Sequence, residues 1–312
     1  MTDNRSPLIV GAGLAGLLAA HAWPTARIID IAPFPCARHQ ALLRFRSDAV
    51  SKLTGIEFEK VLVRKGIYSQ GDFVEPNARV CNLYARKVVG QVEGRSIWNL
   101  APVERYIAPE DFYDQLIEAV GERIEWGQKF ELKMQEDCPV ISTIPMFLML
   151  QYYGFPLECH QPSDSFIRKS IEVRRWRIPN SRVYYTVYFP DHQTSIYRAS
   201  IAGDMLIAEC MEEWNGEHDD APLKYIEGAF GLNTDELTPL VDHQQPYGKL
   251  VELGEVLRKN ILFELTARHN VYSLGRFATW RNVMLDDVVN DITVIKRLMK
   301  SATAYDVRKE AL

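Results

Sequence analysis

The chain has 312 residues, 47% of them apolar and 25% charged, and a formal net charge of −5. That length suits one large domain or two intertwined ones, and the composition is ordinary for a soluble globular protein. The net acidity gives no global attraction to nucleic acid, and no apolar run is long enough to span a bilayer, Ile141 to Leu150 (broken by Pro145) included.

Five cysteines, Cys36, Cys81, Cys138, Cys159 and Cys210, are odd in number and widely spaced. No CxxC or Cys/His cluster suggests zinc, so no metal site is expected, and the thiols are expected to be reduced in a cytoplasmic protein. The first residues run straight into a strand, which leaves no room for a signal peptide.

Leu8-Ile9-Val10 reads as a short buried strand, followed by Gly11-Ala12-Gly13-Leu14-Ala15-Gly16 and a helix from Leu14 to His21. A GxGxxG turn between strand and helix is the dinucleotide-binding fingerprint in its required context. Gly11 allows the tight turn, Gly13 lets a pyrophosphate approach the backbone, and Gly16 lets the helix pack on the strand. The helix N-terminus offers free N–H groups to the phosphates. Gly11, Ala12, Gly13, Leu14, Ala15 and Gly16 are therefore cofactor candidates. Arg27-Ile28-Ile29 reads as the second strand. Asp30 ends it 19 residues after Gly11, near the spacing expected of a carboxylate on a ribose hydroxyl, with Ile31 beside it. The competing reading is a glycine turn that binds nothing. The strand, helix and acid together weigh against it.

Residues 34–47 form a loop dense in cations and polar rings: Arg38, His39, Gln40, Arg44 and Arg46. From Val61 to Ser96 the pattern is short strands, with turns at Gln70-Gly71-Asp72 and Val92-Glu93-Gly94. Pro109-Glu110-Asp111 starts a helix through Val120, and Gly121 is its expected stop. Val140 to Pro145 reads as a buried strand meeting a loop. Ile171–Ile178, Arg182–Phe189 and Thr194–Cys210 are rich in β-branched and aromatic residues and predict an antiparallel sheet, with a hairpin turn at Gly203-Asp204. Residues 221–260 look helical and connective. Asn270 to Arg276 is a short strand ending in Gly-Arg, and a helix follows from about Leu285 with Val288, Val289, Ile292, Ile295 and Leu298 on one face. The nucleotide-binding domain is then discontinuous: residues 1–50 with 97–146 and 265–312. Residues 51–96 and 147–264 make the substrate domain.

Gly275-Arg276-Phe277-Ala278-Thr279-Trp280-Arg281, followed by Met284-Leu285-Asp286-Asp287-Val288-Val289, resembles the closing motif of flavoproteins of the UDP-galactopyranose mutase and amine oxidase type. Ser142-Thr143-Ile144-Pro145 resembles the strand end that crosses back at their cofactor domain. Tyr188-Phe189-Pro190-Asp191 with Ser195-Ile196-Tyr197-Arg198 resembles the sheet hairpin of the mutases. The chain is shorter than typical mutases, so helical parts of their substrate domain are expected to be missing. The resemblance implies an α/β fold, a Rossmann-type FAD-binding domain with a parallel sheet plus an inserted, mainly antiparallel β substrate domain. It implies FAD, with Gly275, Arg276, Trp280 and Leu285 along the cofactor. Arg276 would bond a phosphate or the flavin pyrimidine edge, against the alternative of a surface cation. For Trp280 the alternative is core packing.

In the resembled flavoproteins the loop after the second strand approaches the flavin ring. Cations there suit an anionic substrate, a phosphate or carboxylate, while Arg38 and Arg46 serve equally well for the cofactor's own pyrophosphate. His39 is a candidate base or a hydrogen-bonding partner. With Arg44, Tyr188 and Arg198 it makes up the candidate catalytic set, and Tyr184, Tyr185 and Tyr197 belong to the sheet over the flavin. Tyr247-Gly248-Lys249 reads as a substrate contact or a turn. Arg168, Lys169, Arg174, Arg175 and Arg177 suit DNA or a nucleotide, against the plainer reading of a charged edge strand.

The implied activity is oxidation of an amine or amino-acid-like C–N bond to an imine that water hydrolyses. The stretch His39 to Ser47 also resembles compact bacteriophage flavoproteins, some of which act on glycine-decorated thymine. The alternatives are a mutase acting on a sugar nucleotide, and a non-catalytic flavin- or nucleotide-binding module.

Overall fold

The computed structural model describes residues 6–35, 42–135, 138–155, 166–211, 221–241, 243–251 and 253–301. The first layer is a five-stranded sheet built from β1 (Leu8–Val10), β2 (Arg27–Asp30), β7 (Ile124–Trp126), β8 (Val140–Ser142) and β15 (Val271–Ser273). Its order is β15-β8-β1-β2-β7, and every pair is parallel. The strands are three or four residues long, and all but the edge strand β7 are mostly buried, as befits a sheet covered on both faces. Helices α1 (Leu14–Ala22), α4 (Phe112–Val120) and α8 (Leu285–Lys300) cover one face around Leu17, Leu116 and Ile292. Helices α5 (Met146–Tyr152) and α7 (Glu255–His269) cover the other around Met149, Leu265 and Trp280. Strands from separated parts of the chain thus build one parallel layer.

The second sheet has ten strands. Its path is β13 (Thr238–Pro239), β9 (Arg168–Arg177), β12 (Met205–Cys210), β11 (Ile196–Gly203), β10 (Val183–Tyr188), β4 (Glu59–Ser69), β6 (Val103–Ile107) and β3 (Arg44–Phe45). β14 (His243–Leu250) adds to β9, and β5 (Asp72–Phe73) adds to β4. All pairs are antiparallel except β10 with β4. The β11–β12 hairpin turns at Gly203, whose φ of +66° suits glycine. β3 and β6 come from segments read as nucleotide-binding, so this sheet reaches into that layer.

Two elements differ from expectation. Residues 78–89 form a helix, α3 (Ala78–Val89), where short strands were expected. Asn77 caps it by accepting from the amides of Arg79 and Val80, and Val80, Cys81, Tyr84, Ala85 and Val88 recur at helical spacing. α4 ends at Val120 with Gly121 as its C-cap, as expected, and the backbone runs on as a 3-10 turn over Gly121–Arg123. Arg123 then reaches back to the carbonyls of Ala20, Trp23 and Ala26, closing the C-terminal end of α1. Residues 243–250 form a strand within the stretch read as helical, so β9 is interior and not a charged edge.

α3 covers one face of the large sheet with Tyr84, Val88 and Cys81 against Tyr188 and Tyr197. α6 (Ala221–Phe230) covers the opposite face through Ile226 and Ala229 against Val187, Phe189 and Ala199. Lys87 of α3 donates to the carbonyls of Phe189, Asp191 and Ile196 at 3.1, 2.6 and 2.6 Å, pinning the β10–β11 connection. Lys87→Met strands these carbonyls and is expected to cost roughly 1–3 kcal/mol. A lowered urea midpoint measures this, and an unchanged midpoint would show the lysine to be dispensable.

Candidate functional site

The nucleotide loop has the geometry its glycines imply. Gly11 sits at φ +103°, and a Cβ there would meet Thr143 Oγ1 at 2.5 Å. A Cβ on Gly16 would lie 1.8 Å from the Gly11 carbonyl oxygen. A Cβ on Gly13 would meet nothing within 4 Å, so this stretch of backbone faces open space. No side chain caps the N-terminus of α1, which leaves its first amides available to an anion. Thr143, at the end of β8, donates to the carbonyls of Val10 and Gly11 and ties the crossing strand to the loop.

Asp30 does more than await a ribose. Its two oxygens accept from the amides of Ala12 (2.7 Å) and Ala32 (2.8 Å), and the residue is 4% exposed. Its first task is to hold the glycine turn in shape. Ile31, next in sequence, is exposed at the same strand end.

The C-terminal motif meets this loop directly. Gly275 adopts φ +88°, and a Cβ there would meet Ala15 Cβ at 2.7 Å. That approach sets Arg276 beside the start of α1. Arg276 donates from Nη2 to the Gly248 carbonyl (3.1 Å) and to Asn282 (3.2 Å), while its buried Nε has no partner. The chain of contacts therefore runs from Ala15 through Gly275 and Arg276 to Gly248, and the next residue is Lys249.

Lys249 of β14 is half-buried, its ammonium 4.3 Å from the centre of the Tyr197 ring. Burial, then the neighbouring Arg198, pull its pKa down to about 7, with Arg276 and Arg95 adding to the fall and Glu209 opposing it. Glu209 on β12 stands opposite Arg198 on β11 and takes a fork of two hydrogen bonds, one of them 2.7 Å from Nη2. Burial would raise the Glu209 carboxyl, but Arg198, through its charge and its hydrogen bond, outweighs this and holds it at about 2. A bulge between Ile196 and Arg198 turns Tyr197 and Arg198 to the same side. Thr186 and Ser200 lie opposite one another on the neighbouring pair of strands, and their hydroxyls are 2.9 Å apart. Arg44 of β3 reaches over them and donates to Thr186 at 2.5 Å. Burial and Arg198 lower the Arg44 pKa to about 10, so it stays a cation at neutral pH.

Glu209→Gln removes the one carboxylate of this constellation and leaves Arg198 uncompensated. The expected cost is roughly 3–5 kcal/mol. The sign with pH follows: a carboxylate lowered from 4.5 to about 2 stabilises fully above pH 4.5, and that contribution fades as pH falls toward 2. Thermal melts of wild type and variant that stay parallel from pH 6 down to 2.5 would contradict the pairing.

The remaining sequence-derived candidates fall into place as follows. Arg38 and His39 lie outside the described residues. Arg46 was expected near the cofactor's phosphates, but its guanidinium engages Asp286 and Asp287 at the start of α8, and its amide donates to Asp286. It fastens the loop to the last helix. Trp280 was expected along the flavin. Instead it is completely buried, packs on Phe147 and Phe166, and donates to the Val251 carbonyl, so it presents no surface to a ligand. Leu285 opens α8 and packs on the nucleotide-layer core. Tyr188 is 3% exposed, with its hydroxyl 3.0 Å from Ser96 Oγ and its ring edge-on to Tyr84. Among the basic residues of β9, Arg174 pairs with Glu172, Arg177 pairs with Glu110 and Asp204, and Arg168 stacks over Phe147. Lys249 belongs to the Tyr247-Gly248-Lys249 stretch read from sequence as a substrate contact or a turn, and it lies in β14. Glu209 was not singled out from sequence. Among the described residues no group of three or more His, Cys, Asp or Glu could hold a metal ion, and no helix is long and apolar enough to cross a membrane.

The fold and site define a two-layer α/β protein, a parallel sheet with a glycine turn at its first strand and a large mixed sheet beside it. Three solved structures share that fold at low sequence identity. One is a reduced UDP-galactopyranose mutase, 15% identical, with a TM-score of 0.67 over 96% of this chain and 94% of that one. Another is a fatty acid isomerase from P. acnes, 11% identical, with a TM-score of 0.57 over 95% and 99%. The third is a putrescine oxidase redesigned in its cofactor binding, 11% identical, with a TM-score of 0.57 over 97% and 98%. No protein-family model matches the chain, and no curated protein sequence does.

Proposed function

We propose that this protein is an FAD-dependent oxidoreductase acting on the C–N bond of an amine or amino-acid-like substrate. The observation that carries the proposal is Lys249, a half-buried lysine one residue from the carbonyl that binds Arg276, poised between its two protonation states near neutral pH. The glycine loop fits the cofactor: open backbone at Gly13, an uncapped helix start, and a second loop in contact at Ala15. Gly11 to Ala15 would hold the pyrophosphate, and Arg276 the part of the cofactor nearest the substrate sheet. FAD, when bound, supplies the hydride acceptor. Neutral Lys249 takes a proton from the substrate ammonium or holds the water that hydrolyses the imine. The Arg198–Glu209 pair fixes the wall against which Lys249 rests, and Tyr84 and Tyr197 keep that wall dry.

The test is direct. The purified protein should show flavin absorbance, bleach anaerobically with an oxidisable amine, and consume oxygen with release of peroxide. No flavin after reconstitution with FAD would overturn the proposal. A sugar-nucleotide mutase is the second reading, favoured by the cations Arg44, Lys249 and Arg276 gathered around Arg198, which suit a diphosphate. It would work only after pre-reduction and consume no oxygen. A glycine-bearing thymine in DNA is one amine of the proposed kind. It draws less support here, because carboxylates already engage Arg174 and Arg177.

A further inference from the structure

Strand β14 does not run evenly along β9. Between the pairs Gln245–Ile171 and Lys249–Lys169, β14 has Pro246, Tyr247 and Gly248 where β9 has only Ser170. Lys249 therefore lies opposite Lys169, where an even ladder would place Tyr247. Gly248 closes this irregularity, and the packing there leaves no space for a side chain. A Cβ at position 248 would lie 2.4 Å from Ile171 Cγ1, 2.6 Å from Cγ2 and 2.8 Å from Cβ. Ile171 is buried in one core cluster with Tyr84, Val173 and Tyr197, so it has nowhere to retreat. The same short segment has two outside contacts. The Gly248 carbonyl accepts from Nη2 of Arg276 at 3.1 Å, and the Lys249 ammonium lies over the Tyr197 ring. Arg276 follows Gly275, whose close approach to Ala15 ties it to the glycine loop. The peptide unit is planar, so a shift at Gly248 moves its carbonyl and the Lys249 α-carbon together.

We propose that Gly248 is a positioning residue that couples the glycine loop to Lys249: its fit against Ile171 sets, in one peptide unit, both the anchor of Arg276 and the place of the Lys249 side chain. The chemical role of Lys249 rests on the oxidoreductase reading, but the coupling does not. Such coupling is reciprocal. Occupancy of the glycine loop steadies Lys249 for its substrate, and a ligand on Lys249 tightens the loop.

The experiment compares wild type with Gly248→Ala, with Ile171→Ala alone and combined with Gly248→Ala, and with Gly254→Ala. Gly254 precedes α7, and a Cβ there meets nothing within 4 Å. The first readout is FAD affinity, by fluorescence titration. The second is the rate at which acetic anhydride acetylates Lys249 across neutral pH, followed by peptide mass spectrometry, with exposed Lys52 as internal standard. That rate reports the setting of Lys249 among Arg198, Arg276, Arg95 and Glu209, and a uniform loss of stability would not single it out. Gly248→Ala is expected to weaken FAD binding about tenfold, the scale of one lost charge-assisted hydrogen bond, and to change the Lys249 rate several-fold. Gly254→Ala should change neither. Ile171→Ala removes two of the three crowding carbons, so adding it to Gly248→Ala should return part of both. Should Gly248→Ala not fold, Arg276→Lys keeps the charge but loses the fork that reaches the Gly248 carbonyl, and the Lys249 rate should change several-fold there too. A change in one readout without the other would overturn the coupling, as would no change in either or a double loss that Ile171→Ala leaves untouched. Absence of FAD binding in wild type would sink the oxidoreductase reading, and the Lys249 rates of Gly248→Ala and Arg276→Lys would still decide on Gly248.

Discussion

Lys249→Met is expected to lower kcat/KM for amine oxidation by roughly 10²–10⁴-fold, the range a positioned acid–base group supplies. Flavin content should not change, because Lys249 lies on the substrate sheet and not in the glycine loop. The methionine keeps the length and packing of the stem and removes only the ammonium. The pH profile separates a chemical role from a structural one. With its pKa lowered from 10.5 to about 7, Lys249 is cationic below pH 7 and neutral above it. A base must be neutral to act, so wild-type kcat/KM should rise through pH 7 and level off above it. The groups that set this pKa are Arg198, Arg276 and Arg95 on one side and Glu209 on the other, with the Tyr197 ring beneath. Glu209, held at about 2, stays ionised over the whole range, so the rise is assigned to Lys249. A variant that keeps the wild-type profile would exclude this role.

Gly16→Ala is expected to strip the protein of its cofactor. The new Cβ would lie 1.8 Å from the Gly11 carbonyl oxygen, which is backbone and has no rotamer to change. The turn must open or α1 must slide along β1, and either movement displaces the amides that face the pyrophosphate. Overpacking of this kind costs roughly 1–3 kcal/mol, which is about a tenfold or greater loss in flavin affinity when it falls on the binding loop. Gly94→Ala, where a Cβ meets nothing within 4 Å, is the matched control and should bind flavin like wild type. Titration of each apoprotein with FAD, followed by flavin fluorescence, reads the difference. Equal affinities for Gly16→Ala and wild type would show that the loop is not the cofactor cradle.

Much of the frame was legible in the sequence because its signals are local. A strand, three glycines and a helix must fall within a few residues of each other, and so must a Gly-Arg loop before a last helix. The hairpin at Gly203 and the buried strand at Val140 were legible for the same reason. α3 was missed because Val, Cys and Tyr suit a strand as well as a helix, and only the Asn77 cap distinguishes them. β14 was missed because Pro246 and Gly248 lie within it; Gly248 is needed because Ile171 of β9 comes so close. Arg46 and Trp280 had the right residue types for cofactor contacts, but distant partners, Asp286, Asp287 and the Val251 carbonyl, claim them.

By itself the sequence determined the strand–glycine–helix turn and which of its positions must be glycine, because short-range backbone sterics act within any stretch of chain. The resemblance to flavoproteins implied that the Gly275-Arg276 loop joins it, and the structure brings Gly275 against Ala15. Only the tertiary structure decided which cations share a recess. Arg44, Arg198, Lys249 and Arg276 are far apart along the chain, and no spacing rule relates them. Sheet register and two irregularities, at Ile196/Arg198 and Gln245/Lys249, bring them together around Glu209, and the balance of charge exists only once they are neighbours.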